Sequence, residues 1–299
     1  MSIRPIKRVV QSTPVLEGAG VHLRRAFGFG TTSDFDPFLL FDDFRNDNPD
    51  DYLAGFPWHP HRGIETITYV LAGTVDHGDS LGNRGSLGSG DVKWMTAGSG
   101  ILHQEMPKGD PKSRMHGFQL WSNLPSSLKM TAPRYQDVSS NSIPEVTDDD
   151  GTHVRIVCGD FWGKSGPVDG VAAEPRYLDI FVPPGVRKRL PVETTRNAFA
   201  YVFEGSGTFR DASEPRAVQT EQVGSDAPPM ADPISDRSLV VFDRGDEVVV
   251  QAGPLGIRFL LVSGLPIQEP VAWRGPIVMN TTEQLQQAYA ELRNGTFIK

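Results

Sequence analysis

The sequence has little cysteine and no long hydrophobic run, and each of these absences excludes a class of protein. Cys158 is the one cysteine among 299 residues, so an intrachain disulfide framework is impossible and a reducing compartment is favoured. No stretch approaches the ~20 consecutive apolar residues that span a bilayer, and no signal peptide is evident at the N-terminus. We therefore expect a cytoplasmic protein that does not bind membranes.

Positive charge is also scarce relative to negative charge. The chain has 29 Lys and Arg residues against 37 Asp and Glu residues, and its formal net charge is −8. This balance gives no overall electrostatic reason to bind nucleic acid directly. Hydrophobic residues make up 38% and charged residues 22%, as in folded globular proteins. Because a domain commonly has ~100–200 residues, two domains are expected.

Short apolar runs separated by glycine and proline dominate the chain, while helical signals are few. This pattern, with 31 Gly and 24 Pro, is typical of a β-sandwich or barrel. The clearest helix runs from Thr281 to Leu292, with Asn280 or Thr281 as N-cap. The predicted strands are Glu65–Leu71, Val92–Met95, Tyr177–Val182, Phe199–Phe203, Leu239–Phe242 and Ile257–Val262.

A weak internal repeat indicates two similar halves. Tyr69–Val75 resembles Tyr201–Gly207, and Gly90–Val92 resembles part of Arg244–Val248, in the same order. A duplicated barrel explains this best, with the polar, acidic segment 141–151 as a linker or exposed loop. We predict an N-terminal metal-binding barrel over residues 1–138, and a C-terminal barrel plus the C-terminal helix over residues 139–299.

Two short motifs in the first half each hold two potential metal ligands one residue apart: His59 with His61, and His103 with Glu105. Side chains alternate faces along a strand, so each pair can point the same way. Three imidazoles and one carboxylate could therefore converge. Such ligands suit Fe, Mn, Ni, Cu or Zn better than Ca or Mg. Six of the seven histidines lie in this half, so the second barrel cannot assemble a multi-histidine site.

Several alternatives remain open for these residues. An octahedral metal would keep two positions for substrate or dioxygen, whereas zinc could be closed off tetrahedrally as a structural ion. Histidine pairs also occur in cores without metal. Glu65 could replace Glu105 as fourth ligand if the chain stayed extended after His61, or could be a buried partner of Arg62 or another basic group.

Other side chains near these motifs receive simpler interpretations. His77 lies in a turn-rich segment and is expected to be exposed, whereas His116 is expected to be a hydrogen-bonded core residue. Phe56 and Trp58 could form an aromatic wall for a planar substrate or could pack in the core. Cys158 lies in a predicted strand and is expected to be a small buried core residue.

The motifs resemble those of a known family. The spacings Gly55-x3-His59-x-His61-x3-Glu65-x7-Gly73 and Gly90-x12-His103 are similar to the two cupin motifs. Longer segments resemble the pirin family specifically, and together they span nearly the whole chain. They are Asp36–Phe44, Phe56–Thr66, Trp94–Glu105, Met115–Trp121, Pro266–Pro270 and Gly275–Asn280.

The resemblance implies an all-β bicupin fold, in which two cupin β-barrels lie face to face and a short helix ends the chain. It implies Fe(II) in the N-terminal barrel, held by His59, His61, His103 and Glu105, with Mn, Ni, Cu or Zn as alternatives. The family includes bacterial enzymes with quercetin 2,3-dioxygenase activity and animal nuclear proteins that act as transcriptional coregulators.

We therefore predict a metal-dependent dioxygenase that acts on flavonols such as quercetin, a small planar phenolic substrate, together with O2. Glu105, or with less support Glu65, would take the substrate hydroxyl proton before dioxygen opens the heterocycle and carbon monoxide leaves. The alternative is an iron-dependent, redox-sensing regulatory protein that binds a protein partner. A metal-stabilised stress or storage-type protein is a third hypothesis.

Overall fold

The computed structural model describes residues 2–209 and 233–299, which form strands along most of their length. The strands are β1 Ile6–Gln11, β2 Thr13–Glu17, β3 Val21–Phe27, β4 Phe38–Asp43, β5 Phe56–His61, β6 Ile64–Ala72, β7 Thr74–Asp79, β8 Arg84–Leu87, β9 Val92–Thr96, β10 Ile101–Lys108, β11 His116–Asn123, β12 Arg134–Val138, β13 Glu145–Thr147, β14 His153–Cys158, β15 Asp160–Phe161, β16 Lys164–Ser165, β17 Arg176–Val182, β18 Arg187–Pro191, β19 Asn197–Phe209, β20 Ile234–Ser235, β21 Ser238–Phe242, β22 Glu247–Gly264, β23 Ala272–Arg274 and β24 Ile277–Met279. The described helices are α1 Thr32–Phe35 and α2 Thr282–Arg293, and short 3-10 turns cover Pro49–Asp51 and Ser140–Ser142.

The all-β prediction is confirmed, and each of the six predicted strands lies within or largely overlaps an observed one. Strand β10 shows the expected alternation, since its residues are by turns buried and less buried from Ile101 to Pro107. This alternation, which the pleat imposes, places His103 and Glu105 on the buried side.

Two compact units make up the fold, and neither is continuous in the chain. The first comprises the described parts of Met1–Gln11, Glu145–Arg155 and Tyr177–Ser263. The second comprises Ser12–Pro144, Ile156–Arg176 and Gly264–Lys299. Each unit is built from three separate stretches of the chain, so the units do not correspond to two consecutive domains. The single boundary at residue 138 stays a prediction.

The second unit contains two antiparallel sheets, and both histidine motifs lie on the smaller one. Its larger sheet has the strand order β12-β9-β6-β11-β4-β3-β2, and the smaller has the order β5-β10-β7-β8. Fully buried side chains from several of these strands pack together, which removes apolar surface from water. That core contains Leu39, Ile64, Met95, Ala97, Ile101 and Val278.

The first unit is built on one large sheet with the main order β1-β21-β19-β22-β17-β14-β13, to which β18 and β20 add. Much of the acidic segment that was predicted to be a linker or exposed loop is part of this unit, in which Asp148 and Asp150 both pair with the buried Lys188. Cys158, which lies at the end of β14 and is assigned to the second unit, is 2% exposed, which confirms its prediction as a buried residue.

The C-terminal helix α2 lies where the sequence predicts a helix, and Thr281 is its N-cap. Thr281 accepts a hydrogen bond from the Gln284 amide, and the Gln284 side chain accepts one from the Thr281 amide, so a capping box satisfies two N-terminal donors. The helix packs through Ala288 against Ile277 and Phe297. It therefore belongs to the unit that carries the histidine motifs. No helix in the described residues is long and apolar enough to span a membrane.

Candidate functional site

Strands β5 and β10 bring the three predicted histidines together. They pair antiparallel, with His103 directly opposite His59 and Ile101 opposite His61. The side chains of His59, His61 and His103 each offer a ring nitrogen within 4.8 Å of the others. As strand alternation predicts, all three imidazoles lie on the same face of these two neighbouring strands.

Backbone carbonyls determine which ring nitrogen of two histidines carries the proton. His59 Nδ1 lies 2.8 Å from the Pro57 carbonyl oxygen, and His61 Nδ1 lies 3.1 Å from that of Pro276. A carbonyl can only accept, so each Nδ1 is the donor and each neutral ring has an unprotonated Nε2. These two Nε2 atoms are 3.1 Å apart. Two lone pairs facing each other at that distance repel, unless a cation lies between them.

The third histidine and the electrostatics of the cluster fit a metal ion as well. Both ring nitrogens of His103 are buried with no hydrogen-bond partner among the described residues, an arrangement that is costly without a ligand. Burial lowers the pKa of His61 well below its ordinary value, with His103 and His59 acting in the same direction. Burial also lowers the pKa of His103. Both rings are therefore neutral, as metal ligands must be.

Glu105 lies close to the histidines but apart from their cluster. A register shift between His103 and Glu105 interrupts the pairing of β10 with β5, and a bulge of this kind re-aims a side chain. The Glu105 carboxylate accepts a hydrogen bond from Thr68 Oγ1 at 3.1 Å. Its role as a fourth ligand stays a prediction, as does its role as a base.

Glu65 is not part of the histidine cluster, because the chain does not stay extended between His61 and Glu65. Gly63 turns the backbone with φ +75°, so Glu65 enters β6 on the other face. Its carboxylate accepts a hydrogen bond from Thr96 at 2.8 Å, and burial raises its pKa to about 7. Arg62 pairs instead with Glu291 at 2.9 Å.

Two other histidines differ from their predictions. His77 is 7% exposed rather than solvated, because its segment forms β7 and pairs with β10 opposite Glu105. His116 lies at the start of β11 with its side chain 27% exposed and 2.6 Å from Asp47. It is a partly exposed residue that is hydrogen-bonded to Asp47 rather than a core residue. Neither imidazole joins the cluster of three.

The C-terminal segment braces the end of β5, a contact that no sequence pattern indicated. Besides the carbonyl of Pro276 on His61, the Val278 amide donates to the Arg62 carbonyl at 3.1 Å. The buried Lys129 Nζ donates to the Gly63 carbonyl at 2.8 Å and to that of Val278 at 3.1 Å. These bonds hold the turn that follows the histidine strand.

A cavity of about 660 Å³ opens beside the histidines. His59, His61 and Glu105 line one part of it, and most of the remaining lining is apolar. Such cavities, mostly apolar with a few polar groups, are typical of small-molecule sites. The aromatic residues that line it are Phe29, Phe44, Phe56, Trp58, Tyr52, Trp121 and Trp273.

Aromatic rings extend from the histidines along the cavity. Trp121 meets the His61 ring edge-on, with centroids 5.0 Å apart, and Trp273 lies 6.0 Å beyond Trp121. Phe56 and Trp58, which the sequence left open between wall and core, both line the cavity, and Trp58 is 55% exposed. Trp121 lies on the same strand as His116, but the two residues are five positions apart, so strand parity alone would have placed them on opposite faces. Trp273 had no sequence signal either.

Comparisons with known proteins identify the family of this chain. Residues 20–122 match the family described as Pirin, and residues 177–298 match the Pirin C-terminal cupin domain. The chain is 43% identical to a pirin-like protein of Caulobacter vibrioides, over 99% of this chain and all of that one. It is 37% identical to human pirin, over 98% of this chain and 93% of that one.

A solved structure extends the likeness to three dimensions. The crystal structure of quercetin 2,3-dioxygenase from Acinetobacter baumannii superposes with a TM-score of 0.85 at 28% identity, covering 99% of each chain. The predicted fold, with two cupin-type domains, is thereby confirmed. Because both domains of the pirin family match this chain, and a pirin-like protein is similar to it along nearly its whole length, the chain belongs to the pirin family.

Proposed function

We propose that this protein is a metal-dependent dioxygenase acting on flavonols such as quercetin. One observation carries the proposal: His59 and His61 direct unprotonated nitrogens toward each other at the wall of a largely apolar cavity. A metal held there would be accessible to a small aromatic molecule, which a closed structural ion would not be. The quercetin 2,3-dioxygenase that shares this fold supports the substrate class.

The metal would be held by His59, His61 and His103, with Glu105 as the fourth ligand. When bound, such an ion would supply Lewis acidity toward substrate oxygens and one-electron chemistry with dioxygen. We propose Fe(II), while the donor set also suits Mn, Ni, Cu or Zn.

The protein's own residues would position the substrate and move its proton. The apolar walls, including Trp121 and Trp273, would exclude water and pack against a flat ring system. Glu105 is proposed to take the hydroxyl proton, leaving an electron-rich enolate. A carboxylate bound to a cation is a poor base, because the positive charge lowers its pKa. Glu105 would therefore have to loosen from the ion to act as the base, and the Thr68 hydroxyl, which contacts Glu105 Oε1 at 3.1 Å, would keep the carboxylate beside the histidines.

Oxygen uptake with quercetin by iron-loaded protein tests the proposal. We expect His61→Ala to abolish uptake and Glu105→Gln to lower it by about 100-fold or more, the usual contribution of a general base. His153→Ala, in the other compact unit, is the matched control and should retain full activity. Equal rates in all four proteins would end the proposal, and so would the absence of carbon monoxide among the products.

The regulatory alternative stays a prediction. It rests on the resemblance alone, and the relatives reported above are named only pirin or pirin-like. If it holds, protein partners captured by Fe(II)-loaded and Fe(III)-loaded protein should differ, and the difference should vanish in His61→Ala. Identical partners in both states would contradict it.

A further inference from the structure

A row of polar side chains crosses the larger sheet of the histidine-bearing unit. Arg25 on β3 lies directly opposite Asp42 on β4, Asp42 opposite Gln119 on β11, and Gln119 opposite Thr68 on β6. Directly opposed residues share one face of a sheet, and all four line the cavity. The row is therefore a continuous polar part of the cavity wall.

The row begins beside the candidate metal site and ends away from it. Thr68 Oγ1 lies 3.1 Å from Glu105 Oε1 and 2.8 Å from Gln119 Oε1. Neighbouring strands are ~4.8 Å apart, so Asp42, two strands from Thr68, lies about 10 Å along the sheet. A ligand that extends from Thr68, beside the candidate metal site, to Asp42 would need about that length.

An apolar strip runs parallel to the polar row. Trp121 lies opposite Leu40 on the neighbouring strand, two residues along from Gln119 and Asp42, and both line the cavity. Trp121 also contacts the His61 ring. The wall therefore offers a flat ligand an apolar surface for its face and a line of polar groups along one edge.

Asp42 has the chemistry to receive a hydroxyl group. Its two oxygens accept from Arg25 at 2.8 and 2.7 Å, and each oxygen retains a further lone pair. Asp42 is 4% exposed, and burial raises its pKa to about 6 although Arg25 opposes the shift. A buried carboxylate in this position gains from any added donor. The Thr68 hydroxyl has one proton and lies within hydrogen-bond distance of both Glu105 and Gln119, so it can donate to only one of them. In either case the Gln119 amide, which has two donors and an acceptor oxygen, keeps polar capacity for a ligand oxygen.

We infer that Asp42, with Gln119 beside it, determines substrate specificity by accepting a hydrogen bond from a hydroxyl group at the end of the ligand remote from the histidines. The inference rests on the proposed function, which places the ligand's other oxygens at the histidine end. It narrows the substrate class to planar aromatic molecules with a hydroxyl group on the ring remote from the chelating oxygens.

Binding measurements with three flavonols test this without turnover. The probes are galangin, kaempferol and quercetin, which carry none, one and two hydroxyl groups on the distal ring, and zinc-loaded protein avoids redox chemistry. A hydroxyl donating to a carboxylate should tighten binding about tenfold or more, as read from tryptophan fluorescence quenching. In Asp42→Asn we expect the difference between galangin and quercetin to fall to about twofold.

Asp43→Asn is the matched control. Asp43 is the next residue on β4, is 1% exposed, and pairs with Arg45 at 2.6 Å, but it is outside the cavity lining. This variant should keep the wild-type preference. Gln119→Leu provides a second route if Asp42→Asn fails to fold, and it should lower the preference about threefold.

Equal affinity of the wild-type protein for all three flavonols would overturn the inference. So would an unchanged preference in a folded Asp42→Asn protein, or in Gln119→Leu if that is the variant that folds. Failure of the proposed function gives a different pattern, in which the preference for distal hydroxyl groups is seen but iron-loaded protein consumes no oxygen with quercetin.

Discussion

The imidazole of His61 donates through Nδ1 to the carbonyl oxygen of Pro276, 215 residues later in the chain, at 3.1 Å. This bond fixes the tautomer and the plane of the ring, as partners of metal-binding histidines commonly do. The segment that supplies it follows both sequence motifs and the whole first compact unit. The candidate metal site is therefore complete only when the C-terminal segment has returned to it.

Arg62 is predicted to be essential for holding the C-terminal segment against the histidine-bearing strand. It is 2% exposed, donates to the carbonyls of Ser99 and Phe297 at 2.7 Å each, and pairs with Glu291. Breaking a buried ion pair from one side costs about 3–5 kcal/mol, so Arg62→Met should lower the urea midpoint strongly. Arg114→Met, which removes an exposed pair with Asp110, is the control and should leave the midpoint nearly unchanged. Similar midpoints for both variants would refute the prediction.

Gly63 is predicted to tolerate no side chain. Its φ is +75°, and a Cβ there would lie 1.9 Å from the Val278 carbonyl oxygen. Gly63→Ala should therefore be much less stable than wild type and bind zinc more weakly, because the turn after His61 must move. Gly82→Ala, at φ +90° with nothing within 4 Å of the new atom, carries only the left-handed strain of about 1–2 kcal/mol. Chemical unfolding and zinc titration of the two variants separate the effect of the steric clash from that of backbone strain alone. Equal losses of stability in both variants would contradict the prediction, because they would show that the Val278 carbonyl moves aside at little cost.

Glu65 is predicted to make stability depend on pH. Its pKa is about 7 in the folded protein against an ordinary 4.5, so the folded state holds more protons between those values. The stability that this group contributes is present below about pH 4.5 and is lost as pH rises through 7, by about 3 kcal/mol.

Glu65→Gln cannot lose that proton, so its stability relative to wild type should increase from pH 5 to pH 8. Urea unfolding of both proteins across this range isolates the contribution, since other groups titrate alike in each. A constant difference between the two would mean that Glu65 does not titrate in the folded state.

Metal ions are predicted to stabilise the protein through the three histidines. Because binding is confined to the folded state, added Zn²⁺ should raise the melting temperature, with a gain of about 2.7 kcal/mol at a hundredfold excess over Kd. Chelation with EDTA should reverse the shift. His61→Ala and His103→Ala should lose it, while His153→Ala should retain it. A shift that persists in His103→Ala would place the ion elsewhere.

Local patterns in the sequence were sufficient for the strands, the C-terminal helix and the histidine cluster. Strand alternation has a period of two, so His59 with His61, and His103 two residues before Glu105, could be assigned to faces without a structure. The capping box at Thr281 is equally local. The alternative in which Glu65 replaces Glu105 required the chain to stay extended after His61, and Gly63 breaks that extension and turns Glu65 away from the site.

What only the tertiary structure decided is which distant segments meet. The carbonyl of Pro276 on His61, the pairing of Arg62 with Glu291, and the row from Arg25 to Thr68 depend on strand register and on the return of the chain end. Register is set by the packing of whole faces rather than by any one stretch of residues. The sequence by itself therefore determined the ligand types and their spacing, whereas tertiary packing determined their orientation and the shape of the cavity they serve.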